Sequence, residues 1–176
     1  METFNLGCTV NTIHFAIGSC SMGSLLVAQS SRGICAVLLG DSAQALTQDL
    51  QARFKRAQLI NGGGDINESL NKVIFCVDNP HSVPQLSLDI RGTEFQQQVW
   101  AALRQIAIGT TVSYSEIAKR LGKPKAFRAV AKACAANAIA IVIPCHRVVR
   151  SDGGLCGYRW GIERKKCLLQ KELQSC

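Results

Sequence analysis

The hydrophobic pattern of the chain mixes strand-like runs with helical spacing before Arg91 and is helical after it, and this difference limits the possible folds more than any other feature of the sequence. Upstream of Arg91, two short apolar runs at 24–29 (SLLVAQ) and 33–39 (GICAVLL) surround the turn sequence SSRG, which predicts two neighbouring strands. Downstream of it, apolar residues recur at the three- and four-residue spacing of helices. We therefore expect a small α/β domain over residues 1–90 and a helical domain over residues 91–176.

Two helices and one further strand are expected within the first domain. Residues 44–54 carry an apolar side chain at every fourth position, which predicts one face of a helix: Leu46, Leu50 and Phe54. The stretch NGGGD at 61–65 predicts a loop, and residues 66–77 predict a second helix. A proline-containing linker follows, and residues 86–90 predict a short strand before the boundary.

The second domain is predicted to be helical, with two clear helix starts. Thr93 and Gln96 form a capping-box pattern, and Ser113 and Glu116 repeat it. The apolar face of the first helix comprises Phe95, Val99, Trp100, Leu103 and Ile106. The last helix is expected over about 162–173. Three aromatic residues are expected to pack in the core rather than to stack on bases: Trp100, Phe127 and Trp160.

Residues 114–120, the turn at 122–124 (GKP) and residues 126–136 have the pattern of a helix-turn-helix. Its basic side chains suit contacts with phosphates: Lys119, Arg120, Lys123, Lys125, Arg128 and Lys132. Four alanines leave the second helix slender: Ala126, Ala129, Ala133 and Ala136. A slender helix can approach a narrow groove, which favours sequence-independent binding over the reading of base edges. The alternative is a helical hairpin that packs for structural reasons alone.

The charge of the chain is concentrated in its second half. Residues 1–99 contain 6 Lys/Arg and 8 Asp/Glu, a net charge of −2, whereas residues 100–176 contain 14 and 4, a net charge of +10. Such an asymmetry indicates that the second half binds a polyanion. The alternative is a solvated basic face that only keeps the protein in solution.

The chain has nine cysteines, an odd number that argues against a disulfide framework. The first residues, METFNLGCTVNT, lack the basic and apolar regions of a signal peptide, and no apolar run is long enough to span a bilayer. We therefore expect free thiols in a reducing cytosol. Cys8, His14 and Cys20 have a spacing that fits no zinc template, so no metal is predicted.

The run IVIPCHRVV at 141–149 places a cysteine and a histidine directly after a proline in an apolar stretch. A thiol becomes nucleophilic when it ionises, and an imidazole oriented by a carboxylate can take its proton. Adjacent residues of a strand point to opposite sides, so Cys145 and His146 could interact only through a tight turn or a bridging water. On spacing alone, a buried structural cysteine is the commoner outcome.

Five segments of the chain resemble the O6-alkylguanine-DNA alkyltransferases, especially their bacterial Ada type (its C-terminal half) and Ogt type. They are RGTEFQQQVW at 91–100, VSYSEIA at 112–118, GKPKAFRAVAKACAAN at 122–137, IPCHRVVRSDGGLCGYRWG at 143–161 and KKCLLQKE at 165–172. The resemblance is strong over the second domain and weaker over the first, where GSLLVAQSSRGICAVLLG carries it. PCHRVV followed by GYRWG is highly specific for this family.

The resemblance implies the roles of four catalytic residues. Cys145 matches the cysteine that accepts the alkyl group, and His146 matches the histidine that deprotonates it through a water. Glu172 matches the carboxylate that orients this histidine. Tyr114 matches the tyrosine that donates a hydrogen bond to guanine N3 and helps to turn the target phosphate. The simpler alternatives are a packing role for Tyr114 and a surface charge for Glu172.

The resemblance also implies how the second domain binds double-stranded DNA. Its helix-turn-helix would enter the minor groove, where Arg128 matches the arginine that fills the gap left by the extruded nucleotide. Lys125, Ala129 and Lys132 would belong to the same DNA-binding face. Asn137 matches the hinge asparagine that couples the recognition helix to the active-site loop. The alternatives are a phosphate contact for Arg128 and a plain helix C-cap for Asn137.

Four further residues match the family's base pocket. Val148 lies where a backbone carbonyl holds the exocyclic amine of guanine. Tyr158 and Arg159 lie in the loop that closes over the base, where a backbone N–H reaches O6. Lys165 matches a lysine that supports this loop.

The implied fold is α/β + α: an N-terminal domain similar to ribonuclease H, followed by a helical domain with a winged-helix-like helix-turn-helix and an active-site loop. The zinc ligands of vertebrate members have no clear counterpart here, and no cofactor motif is present, so neither a metal nor a cofactor is expected. Ala138 departs from the pattern because many members have proline there. The N-terminal half of Ada has no counterpart in this chain, from which we expect neither phosphotriester repair nor a regulatory role.

The implied activity is single-turnover transfer of an alkyl group from O6-alkylguanine, and also from O4-alkylthymine, to Cys145. A thioether is a poor leaving group, and no second nucleophile or S-adenosylmethionine-type loop is evident, so the protein should react once. We expect a monomer in the bacterial cytoplasm, associated with the nucleoid through DNA. Two alternatives remain at this point: a non-catalytic helix-turn-helix DNA binder or lesion sensor, and a cysteine hydrolase that turns over repeatedly.

Overall fold

The computed structural model describes residues 11–174, so Cys8 and Cys176 lie outside the described part of the chain. It is a mixed α/β structure with a sheet in its N-terminal part and helices in its C-terminal part. The elements of the N-terminal part are β1 (Asn11–Cys20), β2 (Gly23–Ser30), β3 (Gly33–Gly40), α1 (Ala43–Arg53), β4 (Ala57–Asn61) and α2 (Ile66–Asp78). Among residues 11–174, no helix has both the length and the apolar character needed to cross a membrane.

The four strands form one sheet in the order β3-β2-β1-β4. The first three make an antiparallel meander, whereas β4 pairs parallel to β1 after the crossover through α1. Both α1 and α2 pack on this sheet. Strands β2 and β3 are almost wholly buried and are continuous apolar runs, which is typical of a sheet covered on both faces.

The strands predicted at 24–29 and 33–39 and the helices predicted at 44–54 and 66–77 are confirmed. The strand predicted at 86–90 is wrong. Among residues 11–174 only one bridge forms there, between Ile34 and Leu88, and it is flanked by two backbone hydrogen bonds that join Ile34 to Ser87 and Asp89. Strands β1 and β4 are elements that the sequence analysis did not predict.

Over residues 91–174 the structure has four α-helices, one 3₁₀ helix and a small parallel strand pair. They are α3 (Glu94–Leu103), β5 (Val112–Ser113), α4 (Tyr114–Arg120), α5 (Phe127–Ala136), a 3₁₀ helix (Cys145–Arg147), β6 (Val148–Val149) and α6 (Ile162–Gln174). The capping box of Thr93 and Gln96 is complete, with both side chains bonded to the opposite backbone N–H. Ser113 forms only its half of the second box, accepting from the Glu116 N–H.

Helices α3 and α4 both pack against α5. The slender inner face of α5 permits this close approach, and the indole Nε1 of Trp100 on α3 donates to the Ala133 carbonyl at 2.8 Å. Because β5 precedes α4 directly and pairs with β6, the start of α4 lies beside the segment that follows Cys145.

One hydrophobic cluster includes buried residues from both the sheet and the helices, and backbone and side-chain hydrogen bonds also join these parts. Val37 of β3 bridges to Ile139, with the Val37 N–H donating to Ala138 and the Ala140 N–H donating to Val37. Arg164 of α6 donates to the Met22 carbonyl and pairs with Asp41. The domain boundary near Arg91 stays a prediction.

Candidate active site and DNA-binding face

The thiol of Cys145 lies in the 3₁₀ turn that follows Pro144, and the residue is only 4% exposed. This is the tight turn that a Cys-His interaction would require, although no hydrogen bond joins Sγ to the imidazole among residues 11–174. The segment before it contains Ile141 at φ 70°. A β-branched residue in the left-handed region is strained by about 1–3 kcal/mol, so contacts around this loop must hold it in place.

Asn137 makes many of those contacts. It is the C-cap of α5 and is 1% exposed. Its Nδ2 donates to the Ile143 carbonyl at 3.0 Å and to Cys145 Sγ at 3.3 Å, while its Oδ1 accepts the Ile139 N–H at 2.9 Å. One side chain at the end of α5 therefore bonds both ends of the following loop and the thiol itself.

His146 and Glu172 form a buried pair in which the two side chains are 2.7 Å apart, between Nε2 and Oε1. Arg147 donates to both oxygens of the same carboxylate, with its Nε at 3.1 Å from each, and the Gly109 N–H donates to Oε2 at 3.1 Å. These donors hold the pKa of Glu172 at about 2, below its ordinary 4.5, although burial by itself would raise it. Glu172 is therefore a carboxylate at neutral pH.

The pKa of His146 is lowered from its ordinary 6.5, chiefly because burial disfavours the charged ring. The Glu172 carboxylate acts in the opposite direction, but Arg147 already balances its charge, so we take the imidazole to be neutral. A neutral ring whose Nε2 donates to Glu172 carries its lone pair on Nδ1. Nδ1 is buried and has no hydrogen-bond partner among the described residues, so it is free to accept a proton.

Burial raises the pKa of the Cys145 thiol to about 11, so the thiol is protonated at rest at neutral pH. The Asn137 hydrogen bond and the charge of Lys165 both act to lower this pKa. Lys165 is fully buried, and its Nζ donates to the carbonyls of Val148 at 2.6 Å and Cys156 at 3.1 Å. Desolvation lowers the pKa of Lys165 itself. The Val148 carbonyl, which the resemblance assigns to the base, thus already accepts a hydrogen bond from lysine.

A pocket of about 320 Å³ opens onto Cys145. Its lining comprises Tyr114, Ala131, Cys134, Ala135, Cys145, Cys156, Gly157, Tyr158 and Arg159. Burial raises the pKa of Tyr114 and of Tyr158, so both phenols are hydrogen-bond donors at neutral pH. The Tyr158 hydroxyl is buried without a partner in the described structure, and the Tyr114 hydroxyl lies 3.9 Å from Cys156 Sγ.

Arg159 lines the pocket, but its guanidinium reaches outward. It donates to the Ala135 carbonyl at 3.2 Å and pairs with Asp49 of α1 at 3.4 Å. The side chain therefore ties the loop to α5 and to the N-terminal part of the molecule.

The basic residues predicted to contact DNA lie on the outer face of the helix-turn-helix. Lys125, Arg128, Ala129 and Lys132 are all exposed. Trp100 and Trp160 are buried, as predicted, but the core position predicted for Phe127 is wrong because 42% of it is exposed. Phe127 is the first residue of α5, beyond the part of this helix that packs against its neighbours.

Arg147 belongs to the candidate site but was not among the residues expected there from the sequence. It is half of a bidentate ion pair with Glu172, and its Nη1 also donates to the Ile106 carbonyl at 2.7 Å. A cation inside the apolar run IVIPCHRVV was the available signal, because a charge there needs a partner. Within residues 11–174, no three His, Cys, Asp or Glu side chains are arranged to hold a metal ion.

The chain is similar to known proteins over both of its parts. The family model for the 6-O-methylguanine DNA methyltransferase, DNA binding domain, matches residues 94–174. The bifunctional transcriptional activator/DNA repair enzyme Ada of Escherichia coli is 52% identical over 165 residues, which is 93% of this chain and 46% of that protein. The methylated-DNA–protein-cysteine methyltransferase of Kluyveromyces lactis is 39% identical over 168 residues, covering 84% of this chain and 89% of that protein. The chain thus spans about half the length of the Ada relatives that it matches.

Solved structures agree with the sequence relatives. The Mycobacterium tuberculosis OGT in complex with DNA superposes with a TM-score of 0.78 at 33% identity, covering 91% of this chain and 92% of that one. The O6-methylguanine-DNA methyltransferase of the archaeon Pyrococcus kodakaraensis gives a TM-score of 0.68 at 25% identity, covering 91% and 98%.

Proposed function

The chain belongs to the 6-O-methylguanine DNA methyltransferase family, and from this premise we propose that it repairs DNA by direct reversal of alkylation damage. The alkyl group moves from O6 of guanine, or O4 of thymine, to its own Cys145, once per molecule. The main support for the proposal is the arrangement of the site. A buried thiol lies at a pocket lined by a helix of the basic helix-turn-helix, and a neutral imidazole paired with a carboxylate lies next to that thiol in the chain.

The target oxygen lies inside the duplex, so the nucleotide must leave the base stack before it can react. The pocket beside Tyr114 and Tyr158 would receive it, since Cys145 can be reached from that side. Arg128, exposed at the first turn of α5, would occupy the gap in the duplex. The exposed cations Lys125 and Lys132 would contact phosphates, and the small side chain of Ala129 would let the helix lie close to the minor groove.

The chemical step needs a thiolate, which the resting pocket disfavours. The Cys145 proton would pass to Nδ1 of His146, through a water as the family resemblance implies, while Glu172 stabilises the resulting imidazolium. Sulfur then attacks the alkyl carbon, a C–S bond forms, and the bond between that carbon and O6 breaks. Guanine leaves with the electron pair of that bond. The Tyr114 hydroxyl, directed at N3, would stabilise the developing charge, and a proton taken up by the ring gives neutral guanine.

The remaining residues would position the base and the loop. The Val148 carbonyl would hold the exocyclic amine, and the backbone near Tyr158 and Arg159 would reach O6. Lys165 would support this loop from behind, and Asn137 would couple it to α5. The thioether product is a poor leaving group, so the protein stays alkylated and no cofactor restores it.

Several finer features belong to the same proposal. The N-terminal domain, residues 1–90, is similar to ribonuclease H, and residues 91–176 form a catalytic domain whose helix-turn-helix is of the winged-helix type. The protein acts as a monomer on double-stranded DNA carrying alkylated bases, in the bacterial cytoplasm and in association with the nucleoid.

The test is a stoichiometric incubation with a duplex oligonucleotide that contains one O6-methylguanine. Mass spectrometry should find one added methyl group on the peptide that contains Cys145, and none in Cys145→Ala. Cys156→Ala is the matched control because Cys156 lines the same pocket, and it should react as the wild type does. An unmodified protein would favour the lesion-sensor alternative, and more than one guanine restored per protein would favour a turnover enzyme.

A further inference from the structure

Phe127 is an aromatic residue that the fold leaves uncovered. It is 42% exposed, whereas Trp100 and Trp160 of the same part of the chain are 3% and 5% exposed. As the first residue of α5 it precedes the buried positions of that helix, which are Val130, Ala133 and Cys134. A single exposed apolar side chain is ordinary in a soluble protein, so only the surroundings of Phe127 can point to a partner.

Phe127 lies on the same face of α5 as residues that line the pocket at Cys145. Residues three to four apart, and seven to eight apart, lie on one face of a helix. Ala131, Cys134 and Ala135 follow Phe127 at these spacings, and all three line the pocket that contains Cys145. Phe127 is therefore at the outer end of the helix face that leads into the pocket.

The surroundings of Phe127 identify the partner. Lys125 and Arg128, close to Phe127 in the chain, are both exposed, and the Arg128 guanidinium lies over its ring at 5.8 Å from the centroid. An apolar ring beside exposed cations complements a partner that is anionic outside and offers flat apolar surfaces inside. A DNA duplex has this arrangement, with phosphates beside stacked bases.

We propose that Phe127 is a wedge that inserts into the duplex at the base step beside the target nucleotide and favours its extrusion. Apolar side chains inserted from the minor groove partly unstack a base step, so the flipped state needs less additional unstacking. Arg128 and Phe127 would divide the task, the guanidinium replacing the lost base and the ring covering the exposed face of its neighbour. This role rests on the proposed function, which supplies the extruded nucleotide.

The test compares Phe127→Ala with Phe75→Ala, a matched control at another exposed phenylalanine, which lies on α2 and is 57% exposed. Single-turnover methyl transfer is measured on an O6-methylguanine duplex and on the same strand without its complement. Phe127→Ala should be roughly tenfold slower on the duplex, because the inserted side chain no longer unstacks the base step, and unchanged on the single strand. Phe127→Leu, which keeps apolar bulk, should recover most of the rate, and Phe75→Ala should match the wild type on both.

A second measurement separates the wedge from mere support of Arg128. In an Arg128→Ala background, Phe127→Ala should still slow the duplex reaction, and 2-aminopurine placed beside the lesion should report less unstacking. No additional slowing in that background would overturn the wedge. Equal duplex rates for Phe127→Ala and wild type would also overturn it, while methyl transfer by the wild type would leave the proposed function intact. Failure of the wild type on both substrates would instead refute the proposed function.

Discussion

Replacing Glu172 by glutamine would disturb the most highly connected carboxylate of the site. Its two oxygens accept hydrogen bonds from the His146 ring, the Arg147 guanidinium and the Gly109 N–H. A glutamine offers one acceptor and one donor, so its amide N–H₂ would face N–H donors whichever way it turns. Removing one partner of a buried ion pair costs about 3–5 kcal/mol, so the free energy of unfolding at neutral pH should fall by that amount.

The pH dependence of this loss follows from the pKa of Glu172. Because its folded pKa is depressed from 4.5 to about 2, the stabilisation is complete above pH 4.5 and is lost as the pH falls toward 2. Glu172 is 2% exposed, so solvent screens its interactions with these donors very little. The difference between the unfolded pKa of 4.5 and the folded pKa of about 2 lowers the free energy of unfolding of the wild type by about 2 kcal/mol between pH 5 and pH 3. The glutamine variant has no such group, so its free energy of unfolding does not change for this reason. The stability difference between the two proteins should narrow by that amount.

Urea unfolding followed by circular dichroism at pH 7, 5, 4 and 3 measures this difference. Glu163→Gln is the control because Glu163 is exposed on the same helix, and its difference from the wild type should stay small at each pH. If Glu172→Gln lowered the free energy of unfolding by the same amount at pH 5 and at pH 3, the pKa of Glu172 would not be depressed in the folded protein.

Three further predictions follow from other contacts. Asn137→Ala removes the amide donor to Cys145 Sγ, so the thiol should react with iodoacetamide only at higher pH than in the wild type; an unchanged pH profile would contradict this. Lys132→Gln removes one exposed cation, so the slope of log binding constant against log salt concentration, from DNA titrations, should fall by about 1; an equal slope would exclude a phosphate contact. Thr93→Ala opens the capping box closed by Gln96 and should cost about 1 kcal/mol in urea unfolding, and a variant as stable as the wild type would show that the cap is dispensable.

The helices could be predicted from the sequence because their signals are local. The spacing of apolar residues, the capping residues and the helix-breaking residues all lie within the helical segment or next to it. The predicted bounds of α1, α2 and α4 therefore agree with the structure to within a residue or two. Strands β1 and β4 were missed because their pairing is not local. The five residues of β4 become a strand only through parallel pairing with β1, some 46 residues earlier by the register of Asn11 with Ala57. No pattern within either segment announces that partner.

The failed strand at 86–90 has a geometric cause. The outer edge of β3 is shared by two segments, with residues 87–89 at Ile34 and residues 138–140 at Val37. Each segment therefore pairs with only a short stretch of β3, too short to form a regular strand. Phe127 was misplaced for a similar reason, because the length of α5 that its neighbours cover cannot be read from α5 itself.

The chemistry of the site could be named from the sequence, but its arrangement could not. The PCHRVV motif identified Cys145 and His146 as a candidate pair, and the family resemblance added Glu172, 26 residues further on. The 3₁₀ turn, the contact from Asn137 to Sγ and the Arg147–Glu172 ion pair depend on how α5, α6 and the loop pack together. Arg147 belongs to the motif itself, yet its partner became evident only from the fold.

Through the contact between Val37 and Ile139, the segment that leads to Cys145 covers part of the outer edge of the sheet. Strand β3 is an edge strand made almost entirely of buried apolar residues, the kind of edge to which another chain can add. An opening of the reactive loop that released residues 138–140 would expose the middle of that edge and invite aggregation. We therefore expect loop motion in the proposed reaction to be confined to the residues beyond Ala140, and variants that loosen this anchor should aggregate before they unfold.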